Sequence, residues 1–233
     1  MKIHRFISEY KIRDGKIELA EPEIVHQIRS VLKLKTNEEI ILGDGQSKEV
    51  IARIVKLTKS LILLAVTKEY FNQNEPAGQV TLFCSVLKKD NFEWVVQKTT
   101  EVGATKIVPI ICERSIKTNL NINRLNKIVK EASEQSGRAI VPEVLEPISF
   151  ERALAAATSN ELNILFEGSG EDLESLGRLP SRIGVFIGPE GGFSPYEIDK
   201  AKTAGYWIAN LGKLTLRGET AAIVGIFSII RLI

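Results

Sequence analysis

Residues 187–194 read IGPEGGFS and lie between an apolar run and a helix start. The run before them, residues 183–187, is typical of a buried strand. Ser194 can cap a helix, Pro195 fits its first turn, and Glu197 follows three residues after the cap. The stretch therefore predicts a strand, a glycine-rich turn and a helix. In α/β sheets such turns at strand ends bind small molecules.

The turn has the wrong chemistry for a phosphate loop. Gly191 and Gly192 allow backbone amides to approach a ligand closely, because neither residue has a Cβ. The stretch lacks the Lys-Ser/Thr pair of the P-loop and the spacing of the dinucleotide fingerprint. With Glu190 and no lysine, it favours a neutral or cationic ligand over a triphosphate. Taken alone, it could also be only a tight turn.

Composition indicates an ordinary globular protein of one large or two small domains. The chain has 233 residues, of which 44% are hydrophobic and 26% charged, and its formal net charge of +2 neither requires nor excludes a nucleic-acid partner. Cys84 and Cys112 lie in apolar runs, far from His4 and His26. This pattern predicts two reduced, buried thiols and no metal site.

The ends of the chain predict a cytoplasmic protein. The first residues lack the apolar segment of a signal peptide. The longest apolar tract, residues 221–233, is too short to span a bilayer and contains Arg231. We therefore expect a soluble protein with no membrane partner.

The rhythm of the chain changes near residue 79. Residues 1–71 predict a small β-rich domain with one helix at 22–32, and Gly43-Asp44-Gly45 predicts a hairpin turn within it. Residues 72–78 form a polar linker at the end of the stretch YFNQNEPAG. In residues 79–233 apolar strands alternate with amphipathic helices, which predicts an α/β domain with a parallel sheet.

Three loops in the second domain follow predicted strands. They are residues 166–169 (FEGS), 188–192 (GPEGG) and 211–221 (LGKLTLRGETA). Because the carboxyl ends of parallel strands share one edge, these loops can converge on one pocket. The third loop combines Leu211, Leu214 and Leu216 with a polar end. It is therefore predicted to wall a flat apolar ligand while its backbone bonds the ligand's edge.

Several motifs of the chain, taken together, resemble those of a known family. GPEGGFS followed by LGKLTLRGETAA resembles the cofactor-binding core of the SPOUT methyltransferases. Other segments narrow the resemblance to the 16S ribosomal RNA uracil-N3 methyltransferase family, over nearly the whole chain. They are HRF at 4–6, WVVQK at 94–98 with Glu101 and Gly103, ERS at 113–115, and EQS at 134–136 with Arg138 and Pro142. One departure is Gly218, which stands where the family pattern has Thr.

The resemblance implies a fold, a cofactor and a partner. The fold is α/β: a C-terminal SPOUT-type domain with a deep trefoil knot, preceded by a small PUA-like β-barrel domain that binds RNA. The activity is methylation of N3 of a uridine in 16S rRNA of the small ribosomal subunit, with S-adenosylmethionine as methyl donor. The protein would be a homodimer formed through the knot domain. The predicted cofactor-binding residues are Phe166, Glu167, Gly188, Pro189, Glu190, Gly191, Leu211, Gly212, Leu214 and Leu216.

The same resemblance assigns catalytic and RNA-binding candidates. Uracil N3–H is a weak acid that must lose its proton, and a basic neighbour would stabilise the resulting anion. Arg217 is the candidate for that role, and Glu219 for a base or orienting group, with Arg138 as a further basic group. The target base must also leave its stack. Candidates for RNA contact are Arg5, Arg13, Arg114, Lys117 and Arg138.

The sequence also allows other roles for the singled-out residues and other functions for the protein. Arg217 and Glu219 could form a surface ion pair at a helix start, and Arg114 and Arg138 could be solvated charges. Another SPOUT activity, 2′-O-ribose methylation of RNA, is the main rival. A non-catalytic RNA-binding factor is a second. A flavin or nucleotide enzyme is a third, although the phosphate-loop lysine is missing.

Overall fold

A computed structural model describes most of the chain and divides it into two compact units. Residues 3–88, 90–116 and 119–233 are described, Glu174 by its backbone alone. Unit 1 contains the described residues of Met1–Glu75 and Ser133–Val141. Unit 2 contains those of Pro76–Ala132 and Pro142–Ile233.

Unit 1 is built on a mixed sheet with the strand order β1-β3-β4-β5-β2. Only β1 and β3 pair in parallel, and the remaining neighbours are antiparallel. A short helix, α1 (Pro22–His26), continues as a π-helical turn, Gln27–Val31. The strands are β1 (His4–Ile7), β2 (Lys16–Leu19), β3 (Glu39–Gly43), β4 (Lys48–Leu57) and β5 (Ile62–Phe71).

The core of unit 1 follows from the alternation of its strands. In β2, Ile17 and Leu19 are buried while their neighbours are exposed, as expected for a strand with one face on a core. These two pack with Phe6, Leu42 and Ile54 in one hydrophobic cluster. The predicted hairpin turn is confirmed between β3 and β4.

Strand β5 is longer than the sequence pattern indicates. The pattern predicts a strand at 61–66, whereas β5 continues to Phe71 because its last residues pair with the start of β4, Lys48 opposite Phe71. Tyr70 and Phe71 therefore belong to the sheet rather than to the polar stretch before residue 79.

Residues 133–141 belong to unit 1, although the sequence division places them in the C-terminal domain. The reason is a set of polar contacts that sequence spacing does not reveal. Arg138 Nε and Nη2 donate to the carboxylate of Glu75 at 3.3 and 2.5 Å, and the amide of Ala139 donates to it at 2.8 Å. Asn72 donates to the carbonyl of Gly137 at 3.1 Å.

Unit 2 contains a parallel sheet with the strand order β12-β10-β11-β6-β7-β8, and β9 also pairs with β7. Its strands are β6 (Gln79–Ser85), β7 (Lys106–Ile111), β8 (Glu143–Val144), β9 (Ile148–Ser149), β10 (Leu162–Asp172), β11 (Arg182–Ile187) and β12 (Trp207–Asn210). Its helices are α2 (Asn91–Val102), α3 (Ile122–Ser136), α4 (Phe150–Ala156), α5 (Pro195–Thr203) and α6 (Gly218–Leu232), of which α3 ends within unit 1. The predicted parallel α/β fold of this region is confirmed.

Buried strands and aromatic side chains form the core of unit 2. Five consecutive residues of β11 are buried, as expected where both faces of a parallel sheet are covered. Phe83 and Phe186 stack with ring centroids 4.4 Å apart, and Phe150 meets Phe186 edge-on. Cys84 and Cys112 are both buried and not joined in a disulfide, as predicted. Burial raises the pKa of the Cys112 thiol to about 12.

Register brings the carboxyl ends of β6, β11 and β12 beside the middle of β10. Phe166 of β10 pairs with Ile187 of β11 and with Ala209 of β12, and Ile187 pairs with Cys84 of β6. The segments that follow these residues start side by side along one edge of the sheet.

One predicted strand-end loop is instead part of a strand. Residues 166–169 lie within β10, which continues past a register shift and pairs again with β12 at Glu171 and Asp172. Gly170 permits this return, because a Cβ there would lie 2.5 Å from the carbonyl carbon of Ala209. In the described ranges, no helix combines the length and apolar character needed to cross a membrane.

Candidate functional site

The glycine-rich loop after β11 is a tight turn held by its neighbours. The amide of Gly192, whose φ is +69°, donates to the carbonyl of Pro189 at 2.8 Å. Glu190 Oε1 accepts the amide of Lys88 at 3.0 Å. The carboxylate of Glu190 therefore bonds the segment after β6.

A second segment reaches the glycine loop from the end of β7. Arg114 Nη1 donates to the carbonyl of Gly191 at 2.8 Å and to that of Phe193 at 3.4 Å. The amide of Glu113 donates to Glu197 Oε1 at 2.9 Å. The other oxygen of Glu197 accepts the amide of Ser194 at 2.8 Å, completing the predicted capping box of α5.

Sequence reasoning missed the segment that follows β6. Besides the bond from Lys88 to Glu190, Leu87 packs against α6, where a Cβ on Gly218 would lie 3.0 Å from Leu87 Cδ2. Asn91 Nδ2 lies 3.5 Å from Glu219 Oε2. Leu87, Lys88 and Asn91 thus contact the glycine loop or the start of α6. The signal that could have found them is their position directly after a buried parallel strand.

Beyond Phe166, neighbouring residues of β10 hydrogen-bond to each other. Glu167 Oε2 accepts the amide of Ser169 at 2.6 Å and its hydroxyl at 2.5 Å. These bonds from Ser169 hold the pKa of the Glu167 carboxyl below its ordinary value. Asn210 Nδ2 donates to the carbonyl of Gly170 at 2.8 Å, which joins this stretch to the end of β12.

The apolar loop between β12 and α6 places its three leucines differently. Leu214 is 82% exposed, whereas Leu211 and Leu216 are half-buried. Gly212 has a φ of +103°, and its amide donates to Asn210 Oδ1 at 2.9 Å. A Cβ at Gly212 would meet nothing within 4 Å, so the main chain is open at this point.

Arg217 and Glu219 lie at the start of α6. Arg217 is the N-terminal capping residue by its backbone angles, and its side chain is exposed and makes no capping bond. In the described part of the chain, no ion pair or side-chain hydrogen bond engages its guanidinium group. The ion pair that the alternative interpretation requires between Arg217 and Glu219 is thus not observed there.

A cavity of about 440 Å³ lies along α6, on the side of its exposed residues. Only Leu211 and Gly212 of the predicted cofactor-binding residues line it. The remaining lining residues are Asp172, Leu173, Asn210, Val224, Phe227, Ser228, Arg231 and Leu232. Because its lining includes no residue of the glycine loop, this groove does not coincide with the predicted cofactor site.

Two of the arginines predicted to bind RNA are engaged in ion pairs inside unit 1. Arg5 Nε donates to buried Glu49 at 3.1 Å. Arg138, only 5% exposed, pairs with Glu75. These contacts favour a structural role for Arg5 and Arg138. RNA binding by the two arginines stays a prediction. Arg13 and Arg114 are exposed, and Lys117 lies outside the described residues.

Comparison with known proteins supports a common family for both units. Residues 73–230 match the RNA methyltransferase domain family, and residues 20–67 match the RNA methyltransferase PUA domain. The chain is also 31% identical to the ribosomal RNA small subunit methyltransferase E of Rickettsia conorii, over 97% of this chain and 94% of that protein. The chain belongs to the ribosomal RNA small subunit methyltransferase E family.

Other members agree in sequence and structure. The Bacillus subtilis ribosomal RNA small subunit methyltransferase E is 29% identical, over 89% of this chain and 87% of that one. A crystal structure of the Neisseria gonorrhoeae family member, bound to S-adenosyl methionine, superposes with a TM-score of 0.91. It is 32% identical, with 99% of this chain and 98% of that chain covered. The predicted family is thereby confirmed.

Proposed function

We propose that this protein uses S-adenosylmethionine to methylate N3 of a uridine in 16S rRNA of the small ribosomal subunit. The observation that carries the proposal is the full-length match to an S-adenosyl methionine-bound family member, combined with strand ends that converge at one sheet edge. Unit 1, which holds the PUA match, is proposed to bind rRNA, and unit 2 to carry out methyl transfer. Cytoplasmic location follows from this substrate.

The residues present suit the proposed cofactor. Gly191 and Gly192 remove side chains from the glycine loop, and the main chain at Gly212 is open to close approach. Half-buried and exposed leucines of residues 211–216 offer an apolar surface for adenine. The carboxylate of Glu167 suits the ribose hydroxyls or a positive charge. When bound, S-adenosylmethionine supplies a methyl group activated on a sulfonium.

Arg217 and Glu219 are proposed to serve the uracil. Methylation replaces N3–H with N3–CH3, so a proton leaves the base and negative charge spreads over the ring and its carbonyl oxygens. The exposed guanidinium of Arg217 is available to stabilise that charge, since no ion pair occupies it in the described ranges. Glu219, 3.5 Å from Asn91, would accept the proton or orient the base.

The product of methyl transfer tests the proposal directly. Small ribosomal subunits lacking the modification are incubated with radiolabelled S-adenosylmethionine, and the rRNA is digested to nucleosides. Label in 3-methyluridine is expected. Label in a 2′-O-methylated nucleoside would assign the rival activity. Absence of label from a protein that binds the cofactor would contradict the proposal and favour a different RNA substrate or a non-catalytic RNA-binding role.

Arg217→Ala tests the electrostatic role. Loss of a group that stabilises developing charge is expected to lower kcat by about 100- to 1,000-fold. Affinity for S-adenosylhomocysteine should be unchanged, because the proposed role concerns the uracil. Lys213→Ala, an exposed cation in the same loop, is the control and should retain wild-type kcat. Equal kcat in the Arg217 and Lys213 variants would remove Arg217 from the mechanism.

A homodimer is proposed to form along α6. Val224 and Phe227 are 37% and 52% exposed and line the groove with Leu173. Exposed apolar residues on a helix that is apolar along most of its length are typical of an interface. A second copy of the chain is the proposed occupant. The trefoil knot is likewise proposed from family membership, and an experimental tracing of residues 183–233 would test it.

Phe227→Asp tests the dimer. A carboxylate in an apolar interface would have to be desolvated, so the variant is expected to be monomeric by sedimentation. Tyr196→Asp, which changes an aromatic residue 59% exposed on α5, should leave the association state of the wild type. A Phe227 variant with the wild-type sedimentation coefficient would contradict an interface on this face.

A further inference from the structure

Arg114 contacts carbonyl oxygens in and next to the glycine loop, and among the described residues no acidic side chain pairs with it. One guanidinium nitrogen, Nη1, donates to two carbonyl oxygens. It lies 2.8 Å from Gly191 O in the loop and 3.4 Å from Phe193 O just after it. Its Cδ would lie 3.4 Å from a Cβ on Gly191. A charged donor makes a stronger hydrogen bond to a carbonyl than a neutral one. The side chain therefore fixes the position of the main chain between Gly191 and Phe193.

The turn that presents Arg114 is itself fixed. The amide of Ser115 donates to Cys112 O at 3.0 Å, and Ser115 Oγ accepts the amide of Cys112 at 2.9 Å. The hydroxyl of Ser115 also lies 2.9 Å from that of Ser85, a fully buried residue at the end of β6. Since β6 and β7 are paired strands, these bonds tie the turn that carries Arg114 to the end of the sheet.

The same turn holds the loop at a second point. The amide of Glu113 bonds Glu197, which is only 3% exposed and whose other oxygen accepts the amide of Ser194. Residues 113 and 114 thus hold both the end of the glycine loop and the start of α5. Glycines increase the conformational freedom of a loop, and ordering such a loop before a ligand arrives lowers the entropic cost of binding.

We infer that Arg114 is a positioning residue for the cofactor-binding loop and not a ligand of rRNA phosphate. The inference rests on the proposed function, in which residues 188–191 hold S-adenosylmethionine. Arg114 acts through the carbonyls of Gly191 and Phe193, so its loss leaves the loop less ordered before binding. The affected quantity is cofactor affinity, whereas loss of a phosphate contact would lower rRNA affinity and its salt dependence.

Arginine variants of the full-length protein separate these roles. Arg114→Ala and Arg114→Lys are compared with Arg124→Ala, which removes an exposed arginine of α3 that pairs with Glu93 at 2.6 Å. Calorimetry gives the Kd for S-adenosylmethionine, and filter binding gives the Kd for 16S rRNA across salt concentrations. Melting temperatures show whether each variant is folded.

The expected result is a shift in cofactor affinity alone. The Kd for S-adenosylmethionine should rise about 10- to 100-fold in Arg114→Ala, as for the loss of a charged hydrogen bond. Arg114→Lys, which keeps a cationic donor, should recover part of the affinity. The rRNA Kd and its salt slope should match the wild type in both variants, and Arg124→Ala should match it in every measurement.

Three outcomes would overturn the inference. Unchanged cofactor Kd with weaker rRNA binding and a shallower salt slope would make Arg114 a phosphate ligand. An Arg114→Lys variant that folds and binds the cofactor no better than Arg114→Ala would show that a cationic donor at this position does not order the loop. A wild-type protein without measurable affinity for S-adenosylmethionine would remove the proposed function, and the inference with it.

Discussion

Gly168 and Gly170 lie two residues apart on β10, yet only one of them has room for a side chain. A Cβ on Gly168 would meet nothing within 4 Å. A Cβ on Gly170 would lie 2.5 Å from Ala209 C and 2.7 Å from Ile208 O, which are backbone atoms of β12. At residue scale, Gly170 is what lets β10 and β12 stay paired beyond Phe166.

Gly170→Ala is therefore expected to destabilise the protein by about 1–3 kcal/mol, the range for overpacking in a well-packed region. Gly168→Ala should change the free energy of unfolding far less, because its Cβ enters open space. Urea denaturation of both variants gives the comparison. Equal stability of the two alanine variants would mean that β12 can move away from β10 without loss.

The start of α5 shows how a helix cap is joined to the candidate site. Ser194 Oγ accepts the amide of Glu197 at 3.3 Å, and the Glu197 carboxylate accepts the amide of Ser194. Pro195 occupies the first helical position, as the sequence predicts. Because Glu197 also bonds the turn after β7, the cap connects the helix to a second loop of the site.

Ser194→Ala is expected to reduce stability by about 1 kcal/mol, as for the loss of other capping residues. It should also weaken cofactor binding, because the cap ends the glycine loop. Ser149→Ala provides the control, since Ser149 caps α4 through the amide of Arg152 at 3.3 Å. That variant should lose similar stability while the Kd for S-adenosylmethionine is unchanged. A loss of affinity in both variants would point to general destabilisation.

At the scale of the whole molecule, the chain enters unit 1 twice. Residues 133–141 join the N-terminal strands through Glu75, and further contacts reinforce them. Glu134 Oε1 accepts the amide of Ile7 at 2.8 Å, and Asn74 Nδ2 donates to Gly137 O at 3.1 Å. Unit 1 is therefore not a contiguous segment, and its stability depends on residues far along the sequence.

Arg138→Met should destabilise unit 1 although residue 138 lies beyond the N-terminal domain that the sequence delimits. Arg138 is buried and Glu75 is partly buried, so removing the arginine is expected to cost about 1–3 kcal/mol, the range for hydrogen bonds to charged groups. Hydrogen exchange should accelerate in β4 and β5 and not in β6 and β11. Arg182→Ala, which loses only an exposed pair with Glu161 at 3.9 Å, should leave both patterns unchanged. Faster exchange confined to unit 2 would contradict this account.

The same pair predicts a dependence on pH. Burial alone would raise the pKa of Glu75, but hydrogen bonds and charge from Arg138, with the amides of Ile140 and Ala139, bring it below its ordinary value of 4.5. Its stabilising contribution is therefore present above pH 4.5 and is lost as the pH falls through the lower folded value. The difference in exchange between the wild type and Arg138→Met should shrink over that range.

Local sequence patterns determined most helices and strands of this protein and the order of its motifs along the chain. The strand, glycine turn and capped helix at residues 183–197 follow from apolar runs, missing Cβ atoms and capping residues, all of which act within a few positions. The parallel sheet of unit 2 and the family follow from alternating elements and from the order of motifs along the chain.

Tertiary structure alone decided which distant residues meet. Three features depend on packing between segments up to 131 residues apart. They are the continuation of β10 past Phe166, the place of residues 133–141 in unit 1, and the contacts of Lys88 with Glu190 and of Leu87 with Gly218. The sequence did not reveal the partners of Arg5, Arg114 and Arg138, because they too lie far away along the chain. An arginine looks the same in sequence whether it pairs with a buried carboxylate, braces a loop carbonyl or faces RNA.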